Sequence, residues 1–360
     1  MVLDKNLENA LKNHLVKKIL PRYIKVVRNK NCANFQIAKR IVVDFENNMN
    51  DKQLWQLHDK LMEKFYEIRF FMDSGMLSMK DLELPRFSLL DLKILLAEEM
   101  MKSCELCERK CEINRLEGEK GECKVGKNCL ISSEFMHGGE EAYVSPSHTI
   151  FFMGCNFHCQ FCQNYTISQW YESGYPVQSE WLAGRIDKMR EEGCRNMNFV
   201  GGEPTPSMLP ILKTLKLCKS NAPVVWNSNF YMSEKTMKIL DGIVDMHLSD
   251  FKYGNSECAS HFSKVPNYFE ICSRNHLLAT RQTEITVRHL VLPDHVECCS
   301  KPILDWIAKN IRRNCIVNLM DQYAPQYRAD QYTDINRKIS EDEFNAVVKY
   351  AKKLKINYMV

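Results

Sequence analysis

Three cysteines in one short segment constrain this chain more than any other feature of its sequence. Cys155, Cys159 and Cys162 follow the apolar residues 149–153 with C-x3-C-x2-C spacing. Thiolates are the usual ligands of iron–sulfur clusters, and three on one loop can hold three corners of a 4Fe–4S cube. The fourth iron would then bind a small molecule. A zinc site that lacks one ligand, or buried thiols without a metal, would show the same spacing.

The composition describes a globular protein that uses cysteine for metal binding. Its 360 residues include 16 cysteines, many in C-x2-C and C-x3-C units, which predict metal ligation rather than disulfides. A reducing, cytoplasmic location is therefore expected. No apolar stretch reaches the ~18 residues of a membrane span, and the first residues lack the pattern of a secretory signal. We therefore expect no membrane partner.

The charge of the chain gives a weak indication of an RNA partner. The net charge of +4 is too small to imply nucleic-acid binding, but residues 1–40 hold ten Lys or Arg and two acids, 10 − 2 = +8. Such an arm can contact RNA or an acidic protein. It can equally be the solvated face of a helix.

A second cysteine group lies upstream of the first. Cys104, Cys107, Cys111 and Cys123 have C-x2-C-x3-C-x11-C spacing. Four thiolates so spaced fit a closed tetrahedral zinc site, and they fit an auxiliary iron–sulfur cluster equally well. Farther along the chain, the adjacent Cys298 and Cys299 belong to no motif, and we interpret them as free thiols.

Short apolar runs alternate with helical patterns from residue 148 onward, which favours parallel strands joined by helices. We predict an α/β fold, a partial (β/α)6 TIM-type barrel at 131–360, after a helical N-terminal extension at 1–102 and a Cys-rich segment at 103–130. The predicted strands are 148–153, 197–201, 223–228, 243–248, 285–292 and 315–320. The predicted helices are 5–20, 51–72, 88–102, 179–193, 207–220, 233–241, 266–280, 300–312 and 340–355.

In barrels of this type the chemistry lies at the C-terminal ends of the strands. Polar groups occur there in four places, and each has a structural alternative. Gly201, Gly202 and Glu203 let a ligand approach the backbone and offer a carboxylate to an ammonium group, or they form a plain turn. Asn227 contacts a ligand, or serves local structure. The remaining candidates are Asp250 with Lys252, either ligand-positioning or a salt bridge, and Arg288 with His289, either facing a ligand or satisfied within the core.

The combined motifs resemble those of radical S-adenosylmethionine (SAM) enzymes, and among them of proteins similar to pyruvate formate-lyase activating enzyme. The resemblance covers about residues 104–355, and it is carried by Cys-Glu-Leu-Cys-Glu-Arg-Lys-Cys (104–111), Gly-Gly-Glu-Glu (138–141), Gly-Cys-Asn-Phe-His-Cys-Gln-Phe-Cys-Gln-Asn-Tyr-Thr-Ile-Ser-Gln (154–169), Leu-Asp-Gly-Ile-Val-Asp (240–245), Asp-Phe-Lys-Tyr (250–253), Val-Arg-His-Leu-Val-Leu-Pro (287–293) and Val-Asn-Leu-Met-Asp-Gln-Tyr (317–323). The triplet at 201–203 is closer to the general radical SAM consensus than to this branch.

The resemblance implies a mechanism. The free iron of a 4Fe–4S cluster binds SAM, whose amino group meets the triplet at 201–203, while Phe161 flanks the cofactor. An electron from reduced ferredoxin or flavodoxin cleaves the sulfonium bond, and the resulting 5′-deoxyadenosyl radical abstracts hydrogen from the substrate. That substrate is expected to be a protein that acquires a glycyl radical. Two alternatives remain: modification of RNA or a peptide, and a non-catalytic metal-binding protein.

Overall fold

A computed structural model describes residues 9–45, 49–172 and 174–360. The described strands form one sheet and are β1 (Leu130–His137), β2 (Ser147–Phe152), β3 (Tyr175–Pro176), β4 (Met197–Gly201), β5 (Val224–Ser228), β6 (Met246–Asp250), β7 (Glu284–Leu290), β8 (Cys315–Met320) and β9 (Tyr358–Met359). Their order in the sheet is β3-β1-β2-β4-β5-β6-β7-β8-β9. Every pair from β2 to β9 is parallel, whereas β1 pairs antiparallel with both of its neighbours.

Helices alternate with the parallel strands and also precede the sheet. They are α1 (His14–Ile19), α2 (Pro21–Val27), α3 (Asn34–Ala38), α4 (Asp51–Asp73), α5 (Leu89–Lys102), α6 (Tyr165–Ser168), α7 (Ser179–Glu191), α8 (Met208–Leu217), α9 (Glu234–Leu240), α10 (Ser256–Ser263), α11 (Tyr268–Gln282), α12 (Lys301–Asn310) and α13 (Glu341–Lys353). Short 3₁₀ turns and one π-helical turn, Val296–Ser300, connect some of them.

The six strands of the predicted barrel are β2, β4, β5, β6, β7 and β8, and the predicted α/β partial (β/α)6 barrel is confirmed. The largest shift concerns the fourth predicted strand, which begins at Met246 rather than at residue 243. The N–H groups of Ile243 and Val244 donate to the Leu240 carbonyl, so this stretch closes α9 instead of extending the strand. As a result, Asp250 is the last residue of β6 itself.

The structure adds a feature that the sequence analysis missed, the antiparallel strands β1 and β3 at one edge of the sheet. Strand β1 pairs with β2 from Ile131 to His137 and covers its outer edge. Covering an edge strand in this way removes a row of unpaired backbone groups.

The N-terminal helices close the barrel at the end opposite the cysteine loop. Leu11, Val16 and Leu20 pack in one apolar cluster with Val225 and Ile316, which lie at the starts of two strands. At the start of β7, Glu284 accepts backbone N–H bonds from Arg22 and Tyr23, both of 2.7 Å. These donors begin α2, where N–H groups lack helical partners. The predicted helix at 5–20 is described only from residue 9, where a short helical stretch precedes α1, and Pro21 starts α2 instead of following one long helix.

Helices α4 and α5 continue the outer helical layer of the barrel. The buried ammonium of Lys93 in α5 donates to the carbonyl of Lys238 in α9. The Cys-rich segment follows α5 and lies over the C-terminal ends of the strands, where Cys107 forms an isolated bridge with Met232 after β5. The domain boundaries at residues 102 and 130 stay predictions.

Candidate functional site

The cysteine loop begins directly after β2 and carries three thiols that receive hydrogen bonds from the protein. The Phe157 backbone N–H lies 3.4 Å from Cys155 Sγ, and the Ser263 hydroxyl donates to Cys159 Sγ over 3.0 Å. Cys162 Sγ lies 3.2 Å from Ser168 Oγ. Donors to thiolate sulfur tune the charge and reduction potential of a bound cluster.

These three thiols line one cavity of about 250 Å³, which opens at the C-terminal ends of the parallel strands. Eleven residues predicted for this site surround the same space: Cys155, Cys159, Phe161, Cys162, Gly201, Gly202, Glu203, Asn227, Asp250, Lys252 and Arg288. Gln322, from the loop after β8, also lines it. A space of this size beside three thiols fits a cluster together with a small ligand. Burial raises the pKa of Cys155 and raises that of Cys159 to about 12, so a positively charged metal is needed to hold them as thiolates.

The glycine pair packs against the backbone of the cysteine loop. Gly201 has φ +125°, and a Cβ on Gly202 would lie 2.0 Å from the carbonyl oxygen of Gly154. Only residues without a side chain permit this approach. The pair therefore holds the end of β4 against the cysteine loop, and its backbone also lines the cavity.

Glu203 is 1% exposed, and its carboxylate is engaged by four donors. Its Oε1 accepts bonds from the Thr205 hydroxyl (2.5 Å), the Thr205 N–H (3.2 Å) and the Ser228 hydroxyl (2.7 Å), while Oε2 accepts the Asn229 N–H (2.9 Å). Burial raises its pKa despite these bonds. Glu203 thus ties the ends of β4 and β5 together, and most of its acceptor capacity is already used.

Asn227 presents an unsatisfied donor toward the cavity. Its Oδ1 accepts a weak bond from Arg288 (3.4 Å), but among the described residues its buried Nδ2 has no hydrogen-bond partner. A buried amide donor without a partner is costly. A ligand oxygen in the cavity would satisfy it.

Arg288 is held by two carboxylates that the sequence analysis did not assign to the site. Its Nε and Nη2 donate to the two oxygens of Glu141 over 2.8 and 2.7 Å, and Nη2 also donates to Glu140. Burial alone would lower the pKa of Arg288, but Glu141 and Glu140 outweigh it and raise that pKa. The signal available in the sequence was the Gly-Gly-Glu-Glu stretch before β2. Two glycines allow the chain to turn, and the two acidic side chains that follow can then point into the barrel.

Asp250 and Lys252 form an ion pair at the cavity wall. Burial lowers the pKa of Lys252, but Asp250 and the Cys159 sulfur outweigh this effect and raise it. Phe161 is buried beside them and contacts the rings of Tyr253 and Tyr323 edge-on. His289, by contrast, is satisfied within the core, because its two ring nitrogens lie 2.8 Å from the Phe251 carbonyl and the Ser300 hydroxyl.

A further contact with the cysteine loop was missed by the sequence analysis. The Asn229 side-chain amide lies 2.6 Å from Asn156 Oδ1 and 3.8 Å from Cys155 Sγ. Asn227 and Asn229 are alternate residues, so side-chain alternation along an extended segment was the available signal for a second asparagine on the cavity side.

The second cysteine group encloses far less space. Cys104, Cys107, Cys111 and Cys123 line a cavity of about 10 Å³ together with Arg115 and Pro206. That volume corresponds to roughly one water-sized probe. The segment also braces the cysteine loop: Arg109 donates to the Asn156 carbonyl (2.9 Å) and Lys124 to the Gln169 carbonyl (2.7 Å).

Within the described residues, no helix combines the length and apolar character needed to cross a membrane.

Comparison with known proteins gives one family match and one extensive relative. The family described as "Radical SAM superfamily" matches residues 149–307. The uncharacterized protein MJ0674 of Methanocaldococcus jannaschii is 43% identical over 344 residues, which cover 94% of this chain and 98% of that protein.

Solved structures show weaker likeness. A radical SAM methyltransferase from Sphaerobacter thermophilus has a TM-score of 0.42 at 12% identity and covers 85% of this chain and 92% of its own. Streptococcus suis SuiB bound to the precursor peptide SuiA has a TM-score of 0.41 at 15% identity, and the match covers 57% of this chain and 46% of SuiB.

Proposed function

The chain belongs to the radical SAM superfamily, and from this premise we propose that it cleaves SAM reductively at a 4Fe–4S cluster held by Cys155, Cys159 and Cys162. The shared cavity supports this proposal, because the three thiols and the ligand-facing polar groups surround one space. When bound, the cluster and SAM supply a one-electron cleavage and a radical that removes a hydrogen atom from the substrate. A reduced ferredoxin or flavodoxin would deliver the electron.

The residues of the loop would hold the cluster and keep it dry. The three thiols serve as ligands, and hydroxyl and amide donors at 3.0–3.4 Å stabilise charge on their sulfurs. Phe157 and Phe161 are buried beside the ligands. Their rings would exclude water from the reacting atoms, which limits side reactions.

The residues opposite the loop would orient SAM. The unsatisfied Nδ2 of Asn227 would donate to a SAM oxygen, and the backbone at Gly201 and Gly202 lets the ligand approach closely. Glu203 already accepts four hydrogen bonds. We therefore assign it to positioning the ends of β4 and β5, which line the cavity. Asp250 and Lys252 would set the charge on the side of the cavity that faces Cys159.

Formation of 5′-deoxyadenosine tests the proposal. The protein is loaded with iron and sulfide without oxygen, reduced with dithionite, and given SAM. The wild type should release 5′-deoxyadenosine, whereas Cys159→Ala should fall to background because one ligand is lost. As a control, Cys194→Ala removes a buried thiol that does not line the cavity and should retain activity. A fully loaded wild type that releases no 5′-deoxyadenosine would contradict the proposal.

We further propose that the substrate is a polypeptide, as in the activation of a glycyl-radical enzyme. Three aromatic side chains form a cluster next to the cysteine loop: Tyr165 stacks on Tyr327 (5.3 Å between ring centroids) and meets Trp170 edge-on (4.6 Å). Trp170 is 53% exposed. Exposed aromatic rings are frequent anchors in protein interfaces.

The basic N-terminal arm, residues 1–40, supports an RNA substrate less than the aromatic cluster supports a polypeptide. Arg22 bonds to Asp73, Asp245 and a backbone carbonyl, so its charge is used within the fold. Lys39 likewise donates to the Cys218 carbonyl.

Substrate class can be tested by adding extract of the producing organism to the reduced enzyme with SAM. Stimulation of 5′-deoxyadenosine release should be lost after protease treatment of the extract; loss after ribonuclease treatment instead would favour RNA.

For the Cys-rich segment we propose one zinc ion held by Cys104, Cys107, Cys111 and Cys123. The enclosed volume of about 10 Å³ is sized for a single ion, not a second cube. Among the described residues, the four sulfur atoms are not all within 4.8 Å of one another. Tetrahedral zinc would require sulfur–sulfur distances of about 3.8 Å. Rotation about χ1 of each cysteine can move its sulfur toward that spacing. Loss of one equivalent of zinc in Cys111→Ala, with the iron content unchanged, is the expected result; loss of iron instead would indicate a cluster.

A further inference from the structure

A third group of metal-ligating side chains lies outside both cysteine groups. The ligand atoms of Cys258, His295 and Cys298 all lie within 4.8 Å of one another. Cys258 is in the first turn of α10, after β6, while His295 and Cys298 follow β7. The three residues thus come from the loops of two neighbouring strands and meet only in the folded chain.

The imidazole of His295 is oriented as a metal ligand. Its Nδ1 lies 2.6 Å from the Pro293 carbonyl oxygen, an atom that can only accept, so Nδ1 carries the proton. The other nitrogen, Nε2, is then left with a lone pair that can bind a metal ion. A backbone carbonyl that fixes the tautomer in this way is a regular partner of ligating histidines. The ring is 6% exposed and meets Phe262 edge-on at 5.0 Å.

Asn255 supports both thiol-bearing segments. Its Oδ1 accepts the Cys258 backbone N–H over 2.7 Å, which caps α10. Its Nδ2 lies 3.3 Å from Cys258 Sγ and 2.8 Å from the carbonyl oxygen of Cys298. One amide side chain therefore joins the two segments that carry the sulfur ligands and also donates to one sulfur, as the outer partners of metal ligands commonly do.

The set of donors selects a thiophilic ion. Two cysteine sulfurs with one imidazole nitrogen match the ligands of zinc, whose bonds of about 2.3 Å to sulfur and 2.0–2.1 Å to nitrogen place ligand atoms roughly 3.4–3.8 Å apart. The Asp334 carboxylate lies 3.6 Å from His295 Nε2. This carboxylate is a nearby oxygen donor to the imidazole, but it lies outside the group whose ligand atoms are all within 4.8 Å of one another.

We propose that Cys258, His295 and Cys298 bind a single zinc ion, whose fourth coordination position is left to a solvent molecule. This site is independent of the proposed SAM chemistry. It would fix the start of α10 against the turn after β7. The other end of α10 carries Ser263, whose hydroxyl donates to Cys159 Sγ, and the Phe262 carbonyl accepts the Gln160 N–H over 2.8 Å. The ion would thereby stabilise a helix that contacts the cysteine loop.

Anomalous diffraction from crystals of the iron-loaded, zinc-supplemented full chain tests the site directly. Data on both sides of the zinc edge should show a peak among Cys258 Sγ, His295 Nε2 and Cys298 Sγ, distinct from the iron peaks and from any zinc at the Cys-rich segment. Absence of a zinc peak among these three atoms in zinc-supplemented crystals would overturn the proposal. So would a disulfide between Cys258 and Cys298 in protein prepared without oxygen.

Metal content in solution provides a second, independent readout. Cys298 is exposed, so Cys298→Ser should fold, yet it should bind one equivalent of zinc less than the wild type. Its melting temperature should also respond less to added Zn²⁺. Glu297→Gln is the control, since Glu297 neighbours the site but pairs outward with Lys301, and it should keep the full zinc content. Equal zinc content in Cys298→Ser and the wild type would refute the site.

Discussion

The two cysteine groups predicted from the sequence differ in the space that their thiols enclose. The cysteine loop contributes three thiols to a cavity of about 250 Å³, whereas the Cys-rich segment surrounds about 10 Å³ with four. Three ligands beside a large cavity leave room for a reacting molecule, while four around one ion complete its coordination. The first arrangement suits chemistry and the second suits structure, although both use the same side chain at similar spacing.

Matched alanine substitutions should separate these roles by the largest margin. Cys162 and Cys111 are both half-buried. We expect Cys162→Ala to reduce 5′-deoxyadenosine release to background with little change in thermal stability. Cys111→Ala should instead lower the free energy of unfolding by about 4 kcal/mol and the melting temperature by about 5 °C, because a folded metal site is lost. Calorimetry and product assays on both variants would measure this, and equal stability losses would remove the distinction.

The next effect concerns the contact that places the cysteine loop beside β4. In Gly202→Ala the new Cβ would lie 2.0 Å from the Gly154 carbonyl oxygen, so the loop or the strand end must move. A displacement near 1 Å can reduce catalysis about 100-fold, and we expect a loss of that order in 5′-deoxyadenosine release.

Gly184→Ala provides the control for this substitution. Gly184 lies within α7, and nothing stands within 4 Å of a Cβ added there. That change should leave activity intact and raise the free energy of unfolding by about 0.5–1 kcal/mol, since alanine favours the helix. Full activity in Gly202→Ala would show that the cavity wall tolerates movement.

A smaller effect should come from the clamp that holds the Cys-rich segment to the barrel. The buried guanidinium of Arg115 donates to the carbonyls of Val125 (3.0 Å), Gly126 (3.0 Å) and Pro206 (2.7 Å). A lysine cannot reproduce this planar set of bonds. Arg115→Lys should therefore lower the free energy of unfolding by about 1–3 kcal/mol, measured by denaturant titration.

The exposed substitution Arg281→Lys in α11 serves as the control for this clamp and should change stability little. If Arg115→Lys proved as stable as Arg281→Lys, the Cys-rich segment would not depend on this clamp.

Much of the fold could be predicted from the sequence because buried parallel strands appear as separate apolar runs. Strand β4 has the predicted bounds, 197–201, and β8 has the predicted bounds, 315–320. The apolar run before β6 was misleading, because Ile243 and Val244 bond back to Leu240. Hydrophobicity records burial, but it does not distinguish the end of a buried helix from the beginning of a strand.

The three cysteines of the loop, the glycine pair and Asn227 could be placed at one site because each stands at the C-terminal end of a different strand of the same barrel. Arg288 was predicted to face this site, but its engagement by Glu140 and Glu141 depends on how the chain before β2 turns inward. The group of Cys258, His295 and Cys298 gave no signal for a similar reason: Cys258 follows β6, far along the chain from the other two, and no common motif joins the three. Local spacing can reveal ligands that share a loop, but not those assembled by tertiary packing.

The smallest effect should come from one hydrogen bond to a sulfur of the cysteine loop. The Ser263 hydroxyl donates to Cys159 Sγ over 3.0 Å. A donor at sulfur stabilises the more negative, reduced cluster, so Ser263→Ala should lower the cluster reduction potential. We expect 5′-deoxyadenosine release to fall about tenfold, the lower end of the range for an outer partner of a metal ligand. A redox titration followed by electron paramagnetic resonance measures the potential. Ser260→Ala, which removes a hydroxyl of the same helix bonded to the Val265 carbonyl, should leave it unchanged. Equal reduction potentials in the two variants would mean that this bond serves packing alone. In that case α10 would not tune the reduction potential of a cluster held by the cysteine loop.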